Sequence, residues 1–369
     1  MSGPLRLAIL SLHRGGMAQC AAGLANAVLQ ARPEAAVAFF GPQDMDPDLF
    51  EPGVALFRYR TPQELSWRAV GRLARLPWLA RRLRQDILAW RPTVLHVNSG
   101  HLSYPLFVPG LAARIPMVSS IHDIFPHLGE RRPVERFKLS SLLGHSRRFL
   151  VHGRRLKEQA VARWRIDPER IEVFPIIKPS RIRSWAAAAE EQPFDILLFG
   201  RIHAYKGVGL ILEALPEIVK RVPQARLIIA GKGDLDAWSA SLESVRGHVE
   251  LHNRFIPDRE MAAFFRRCAL AVLPYLEASQ SGIEPVAACF GKPVVATRVG
   301  SLDEVVEDGR TGRLVPPGDA GALALAVATL LADPALRREM GRRAFERRYG
   351  PGVEKELGER LCRLYAAAV

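Results

Sequence analysis

The stretch Leu197-Leu198-Phe199-Gly200-Arg201-Ile202-His203-Ala204-Tyr205-Lys206-Gly207 runs from apolar residues into a glycine. Two cations five residues apart follow, then a second glycine. A diphosphate needs this kind of arrangement: close backbone approach at glycine, a forked guanidinium donor at Arg201 and an ammonium point charge at Lys206. A surface turn with incidental charges has the same spacing. Neither a Walker loop nor a Gly-x-Gly-x-x-Gly fingerprint is present. A second apolar run, Leu227 to Ala230, enters Gly231-Lys232-Gly233, a pattern any βα turn also uses. After a third run, His252-Asn253-Arg254-Phe255 places groups where the edge of a base could be read. The segment Pro274 to Pro293 opens on small polar residues. Ser279 or Ser281 suits the N-cap of a short helix, Pro285 its first turn and Gly291 its stop. Around Ser281-Gly282-Ile283 such a helix offers unpaired N–H groups to an anion. A capped helix with nothing bound is the alternative.

These segments have to be held by strands. Short Val/Ile/Leu-rich runs alternate with helical patterns, which is the signature of βαβ units and parallel sheets. In the first half, strands are expected at Arg6–Ser11, Ala36–Phe40, Val94–Val97, Met117–Ile121 and Arg148–Val151. After a break at Pro175–Pro193 the pattern restarts at Asp195–Phe199, Arg226–Ala230, Val249–His252, Leu270–Pro274 and Pro293–Thr297. The expected fold class is α/β, with two doubly wound parallel-sheet domains, 1–178 and 179–351, facing across a cleft. The last helix, 352–369, fits either lobe. Ligands of such sheets bind at the carboxyl ends of the strands.

The chain has 369 residues, 48% hydrophobic and 24% charged, enough for two cores. Four scattered cysteines (Cys20, Cys268, Cys289, Cys362) argue against a disulfide framework or a zinc site and suit a reducing cytoplasm. The apolar start is too short for a signal peptide and reads as a buried strand, and no run is long enough to span a bilayer. Net charge is +14, and Arg131 to Arg183 holds 15 Lys/Arg against 5 Asp/Glu. No nucleic-acid motif accompanies that charge, so a nucleic-acid partner is not expected. An anionic membrane surface and a solvated Arg-rich face both fit. Residues 66–92 read as two Arg-rich amphipathic segments broken at Pro77, with Val70, Leu73 and Leu76, then Leu79, Leu83 and Ile87, on the apolar side. Such a stretch can lie on a bilayer or pack on its own sheet.

The chain resembles the family-4 retaining glycosyltransferases of the GT-B fold along nearly its whole length. Gly200-Arg201 with Lys206-Gly207 is similar to the family's diphosphate clamp. Gly300-Ser301-Leu302-Asp303-Glu304, then Gly309, Thr311-Gly312 and Pro316-Pro317-Gly318-Asp319, is similar to its donor-domain block. Gly15-Gly16 resembles the glycine loop after the first strand, and Ile121-His122-Asp123 through Pro126-His127 a cleft segment. The family's paired glutamates, with seven residues between them, are absent. Val286 holds the second position and Ala278 the first, with Glu277 adjacent. Ribose binding therefore has to differ, and Glu284 is the candidate substitute.

The resemblance implies transfer of a hexose, with retention, from a UDP- or GDP-linked sugar to a saccharide or polyprenyl-linked acceptor. It implies no metal and no other cofactor. Arg201, Lys206, Gly15, Gly16, Ser281, Gly282 and Ile283 would hold the diphosphate. His122, oriented by Asp123, would contact the transferring sugar or the acceptor, unless the pair only finishes a βα turn. Gly231, Gly233, Phe255, Glu277, Glu284 and Glu304 are candidates for the nucleoside and sugar, with pairing to a local Arg the alternative for Glu304. The expected setting is cytoplasmic, either free or peripheral on the inner membrane face, and the basic amphipathic first lobe points to surface polysaccharide assembly. A sugar-nucleotide epimerase or hydrolase on the same fold, and a non-catalytic nucleotide- or lipid-head-group-binding subunit, are the alternatives.

Overall fold

A computed structural model describes residues 4–61, 76–101, 103–123, 139, 142–186 and 188–369. The chain divides into two compact units, one of Met1–Pro179 with Gly352–Val369 and the other of Ser180–Pro351. Val70, Leu73, Pro126 and His127, named above, lie outside the described residues.

In the first unit the strands are β1 (Arg6–Leu10), β2 (Ala36–Pro42), β3 (Val54–Tyr59), β4 (Val94–Val97), β5 (Met117–Ile121), β6 (Arg148–Val151) and β7 (Ile171–Val173). They pair in parallel in the order β3-β2-β1-β4-β5-β6-β7. The second unit has β8 (Asp195–Phe199), β9 (Arg226–Ala230), β10 (Val249–His252), β11 (Leu270–Leu273), β12 (Val294–Thr297) and β13 (Gly312–Val315). Its order is β10-β9-β8-β11-β12-β13, again parallel. The winding reverses between β1 and β4 in one sheet and between β8 and β11 in the other. At such a switch point adjacent connections diverge to opposite faces and leave a crevice at the carboxyl edge. Gly15-Gly16 follows β1, and the Gly200–Gly207 and Pro274–Ile283 loops follow β8 and β11.

Central strands are buried on both faces, so they appear as continuous apolar runs. β8, β9 and β10 keep the bounds expected from the sequence. β3, β7 and β13 were not anticipated, and all three are sheet edges. Partial exposure there admits Arg58, Glu172 and Arg313, which interrupt the apolar run.

In the basic stretch, the helix Leu76–Trp90 begins at the expected break and carries Pro77 in its first turn, where a missing N–H costs nothing; the segment before it lies outside the described residues. Leu79, Leu83 and Ile87 are buried in the first sheet's core. The apolar face of this helix is thus already covered, although Trp78 stays exposed. No single helix among the described residues is long and apolar enough to cross a membrane.

The C-terminal helix Val353–Ala366 returns to the first unit and packs along Gly16–Ala31, where Gly358 meets the Ala27 carbonyl. Tyr365 is fully buried, and its hydroxyl bonds His96 Nδ1 at 2.8 Å. His96 Nε2 reaches Ser120 Oγ at 2.8 Å, which ties the helix to β4 and β5 together. Arg147 adds bonds to the carbonyls of Ala368 and Val369, each at 2.9 Å.

Burial pushes His96 down to about 3 and His122 to about 4, and lowers His152 well below 6.5. All three are held neutral in the fold, while the unfolded chain takes up protons near 6.5. Their stabilisation is complete above the unfolded value and is lost as pH falls toward the folded ones. The expected slope is about 1.4 kcal/mol per pH unit per histidine. Chemical denaturation between pH 6.5 and 4 should therefore show falling stability, and His96→Gln should flatten the slope. A profile unchanged in that variant would show that His96 is not a contributor.

Candidate functional site

In the second unit, three strand ends are drawn together by backbone contacts. Gly200 N donates to Ala230 O at 2.9 Å, and a Cβ on Gly231 would run into the Gly200 carbonyl. Gly207, at φ 71°, stands with its α-carbon against the Pro274 carbonyl, a contact closed to any side chain. Leu276 N donates to Tyr205 O at 2.8 Å across the same seam. The loops after β8 and β11 are thereby locked together.

That lock positions Lys206. Its ammonium lies 3.9 Å from the centre of the buried Tyr275 ring and 5.3 Å from that of Tyr205. Aromatic faces attract a cation without neutralising it. Lys206 has no ion-pair partner among the described residues, so its charge stays available to an anionic ligand. Arg201 is exposed at the start of the same loop.

Tyr275 also organises the next turn. Its hydroxyl bonds Ser281 Oγ at 3.2 Å, and Ser281 Oγ accepts from Ile283 N, also at 3.2 Å. Two expectations change here. Ile283, not Ser279 or Ser281, is the N-cap of the helix Glu284–Cys289. The Ile283 amide, expected to face an anion, is already occupied by Ser281. Gly282 lies between them, half-buried, and Pro285 and Gly291 sit in the first turn and at the left-handed stop.

Glu284 is also corrected. It is buried and bound through both oxygens by Arg348, itself 11% exposed. Burial by itself depresses the Arg348 guanidinium, and the pull of Glu284 more than offsets this and raises it. With both oxygens engaged, Glu284 holds the helix Pro334–Tyr349 against Glu284–Cys289, a structural task the sequence did not show.

Gly231 and Gly233 act differently from expectation too. Gly231 N donates to His252 O, and Gly233 N donates to Asn253 Oδ1 at 3.1 Å. Asn253 Nδ2 returns a bond to Gly233 O at 3.0 Å, so this side chain clasps the two loops. The glycine amides serve packing. Phe255 is 56% exposed just beyond, with its ring uncovered on the same edge. Glu277 is half-buried after β11, and Glu304 is half-buried in the short helix Leu302–Val305 after β12.

In the first unit, Gly15 at φ 58° caps the helix Gly16–Ala31 without a side-chain cap bond, and the first turn carries no acid. Asn98, just after β4, joins this loop to His122. Its Nδ2 donates to Met17 O at 2.9 Å, and its carbonyl accepts from His122 Nε2 at 2.6 Å. Only spatial proximity marks Asn98 and Asn253; their spacing in the sequence carries no signal. No group of three or more potential metal ligands occurs among the described residues.

Two doubly wound parallel sheets in series are the GT-B architecture. Residues 14–176 match the family Glycosyltransferase Family 4, and residues 193–333 match Glycosyl transferases group 1. The chain belongs to these glycosyltransferases. Glycogen synthase of Mycobacterium tuberculosis is 29% identical over 294 residues, covering 76% of this chain and 70% of the relative. Phosphatidyl-myo-inositol mannosyltransferase of Mycolicibacterium smegmatis is 27% identical over 288 residues, covering 76% and 72%. The Anabaena protein HepE, solved in complex with UDP-glucose, superposes with a TM-score of 0.69 at 17% identity, covering 97% of this chain and all of that one. At that identity the likeness is one of fold.

Two substitutions test the packing. Glu284→Gln leaves a buried guanidinium without its partner and should cost about 3–5 kcal/mol in urea denaturation. Gly207→Ala adds left-handed strain of about 1–2 kcal/mol to a collision with Pro274, and should lower nucleotide affinity as well as stability. Near-native denaturation curves for both would refute these assignments.

Proposed function

We propose that this glycosyltransferase moves a hexose, with retention of configuration, from a nucleotide-diphosphate sugar to a saccharide or lipid-linked saccharide acceptor. The observation that carries the reading is the Lys206 ammonium, held over the Tyr275 ring at the switch point of the second sheet without a carboxylate partner among the described residues. Breaking the bond from sugar to diphosphate leaves an oxocarbenium-like sugar and a growing negative charge. Donors already oriented before the reaction stabilise that charge without reorganising. Lys206 and Arg201 take this part. Phe255 offers a face to the base, and Glu277 and Glu304 are acceptors for sugar hydroxyls.

In the first unit, the uncapped amides at Gly15 and Gly16 suit an oxyanion, and His122 serves the acceptor side. The leaving phosphate takes the proton of the acceptor hydroxyl, and no metal takes part. The donor is a UDP- or GDP-linked sugar, and the base is read by the nucleotide panel below. The strongly basic composition fits work at the inner face of a membrane, in polysaccharide or glycolipid assembly.

A thermal-shift panel of UDP, GDP, ADP and their sugars should raise Tm for one base series, since a ligand bound only by the native state stabilises it by mass action. Arg201→Ala and Lys206→Ala should each cut transfer about 10²-fold or more, measured as acceptor-dependent nucleotide release. Wild-type rates in both variants would defeat the clamp. Epimerised donor without any acceptor dependence would defeat transfer.

A further inference from the structure

We propose that Lys178, His122 and His152 form a polyol subsite in the first unit that takes a pair of neighbouring hydroxyls on a saccharide. The inference rests on the acceptor-side role given above to His122 and extends it to two further residues. His122 leaves β5 and His152 leaves β6, strands paired with Ile121 opposite Val151. The two rings emerge side by side, with centroids 4.7 Å apart.

Each ring commits one nitrogen to a backbone carbonyl. His122 Nε2 donates to Asn98 O at 2.6 Å, and His152 Nδ1 donates to Phe174 O at 2.9 Å. A carbonyl oxygen only accepts, so these nitrogens carry the protons. Burial keeps both rings neutral. The opposite nitrogens, His122 Nδ1 and His152 Nε2, are therefore lone-pair acceptors. Both are buried without a partner among the described residues, and so is Asn98 Oδ1. Three buried acceptors without donors call for a ligand that brings O–H groups.

Lys178 supplies the complement. It is 1% exposed, and its Nζ donates to Gly16 O at 2.7 Å, which uses one of three N–H groups. It has no ion-pair partner among the described residues. It sits at the N-terminus of the 16-residue helix Gly16–Ala31, where the helix dipole is already positive and burial already penalises charge. Asn98, which accepts from His122, also donates to Met17 O, the residue after Gly16, so Lys178 and His122 border the same helix terminus. Gly16 above it is exposed, and a Cβ there would stand 3.6 Å from Nζ, so the missing side chain keeps an approach open.

A hydroxyl both donates and accepts, so two adjacent hydroxyls can donate to the imidazole lone pairs while accepting from Lys178. A phosphodiester or fully ionised phosphate brings acceptors only and would have to protonate the rings, and monohydrogen phosphate carries one O–H for the two lone pairs. A metal ion is opposed by the ammonium.

The test uses the full chain labelled with 15N at histidine, with NMR reading which ring nitrogen carries each proton. Free protein should show His122 protonated at Nε2 and His152 at Nδ1. Methyl α-D-glucopyranoside, methyl α-D-mannopyranoside and myo-inositol are then added in turn. At least one should shift His122 Nδ1 and His152 Nε2 together without proton uptake. Silence of both rings to all three overturns the proposal and leaves water as the occupant. Inorganic phosphate bound with proton uptake, after allowance for Asp123, His13 and His96 nearby, overturns it in favour of an oxyanion site.

Lys178→Met should keep or raise Tm, since it removes a buried unpaired charge, while weakening the sugar response about tenfold or more. A response retained in that variant overturns the role of Lys178. His152→Phe keeps the ring shape, removes the lone pair and should weaken the response equally. Nucleotide thermal shifts report the second unit separately. Sugar response without a nucleotide shift would sink the donor reading and leave the subsite standing, and the reverse would sink the subsite alone.

Discussion

The α-carbon of Gly207 rests on the carbonyl oxygen of Pro274, and that of Gly231 on the carbonyl of Gly200. No residue with a side chain can make either contact, and the loops after β8, β9 and β11 have their positions because of them. Lys206 precedes the first of these glycines by one residue. Its ammonium is thereby delivered over the Tyr275 ring, at the point where the sheet's winding reverses. A flexible four-carbon side chain would otherwise spread its charge over many rotamers. The glycine contact fixes its root, and the aromatic face fixes its tip.

Tyr275 joins this lock to the following turn. It is fully buried, lies beneath the ammonium and is bonded to Ser281, which in turn holds the Ile283 amide. The turn is therefore preorganised by its own side chains. Beneath it, the Glu284–Arg348 pair anchors the short helix to Pro334–Tyr349. Electrostatic stabilisation of a leaving group depends on donors that do not move when charge develops. In the transfer proposed above, the packing around Tyr275 would supply that rigidity.

The first unit follows the same logic with different groups. Asn98 bridges the glycine loop and His122, and Lys178 holds the loop from below. His96 binds the returning C-terminal helix through Tyr365, so the last residues of the chain belong to the domain that holds its first strand. A chain that crosses back in this way makes the integrity of the first unit depend on residues distant in sequence.

The sequence by itself determined the fold class and most central strands. Buried parallel strands need unbroken apolar runs, and the same reading places Arg201 and Lys206 five residues apart within the βα turn after β8. The edge strands β3, β7 and β13 escaped because partial exposure lets charged residues interrupt the run. Tertiary structure alone decided the rest. Glu284 reads as a free acid until Arg348, 64 residues on, takes both its oxygens. Gly231 and Gly233 read as ligand donors until Asn253 and His252 occupy their amides. Lys178 reads as one basic residue among many until it is found buried beneath Gly16, 162 positions away. In each case the deciding partner is remote along the chain, and whether a polar group is free or already satisfied becomes defined only when the chain folds.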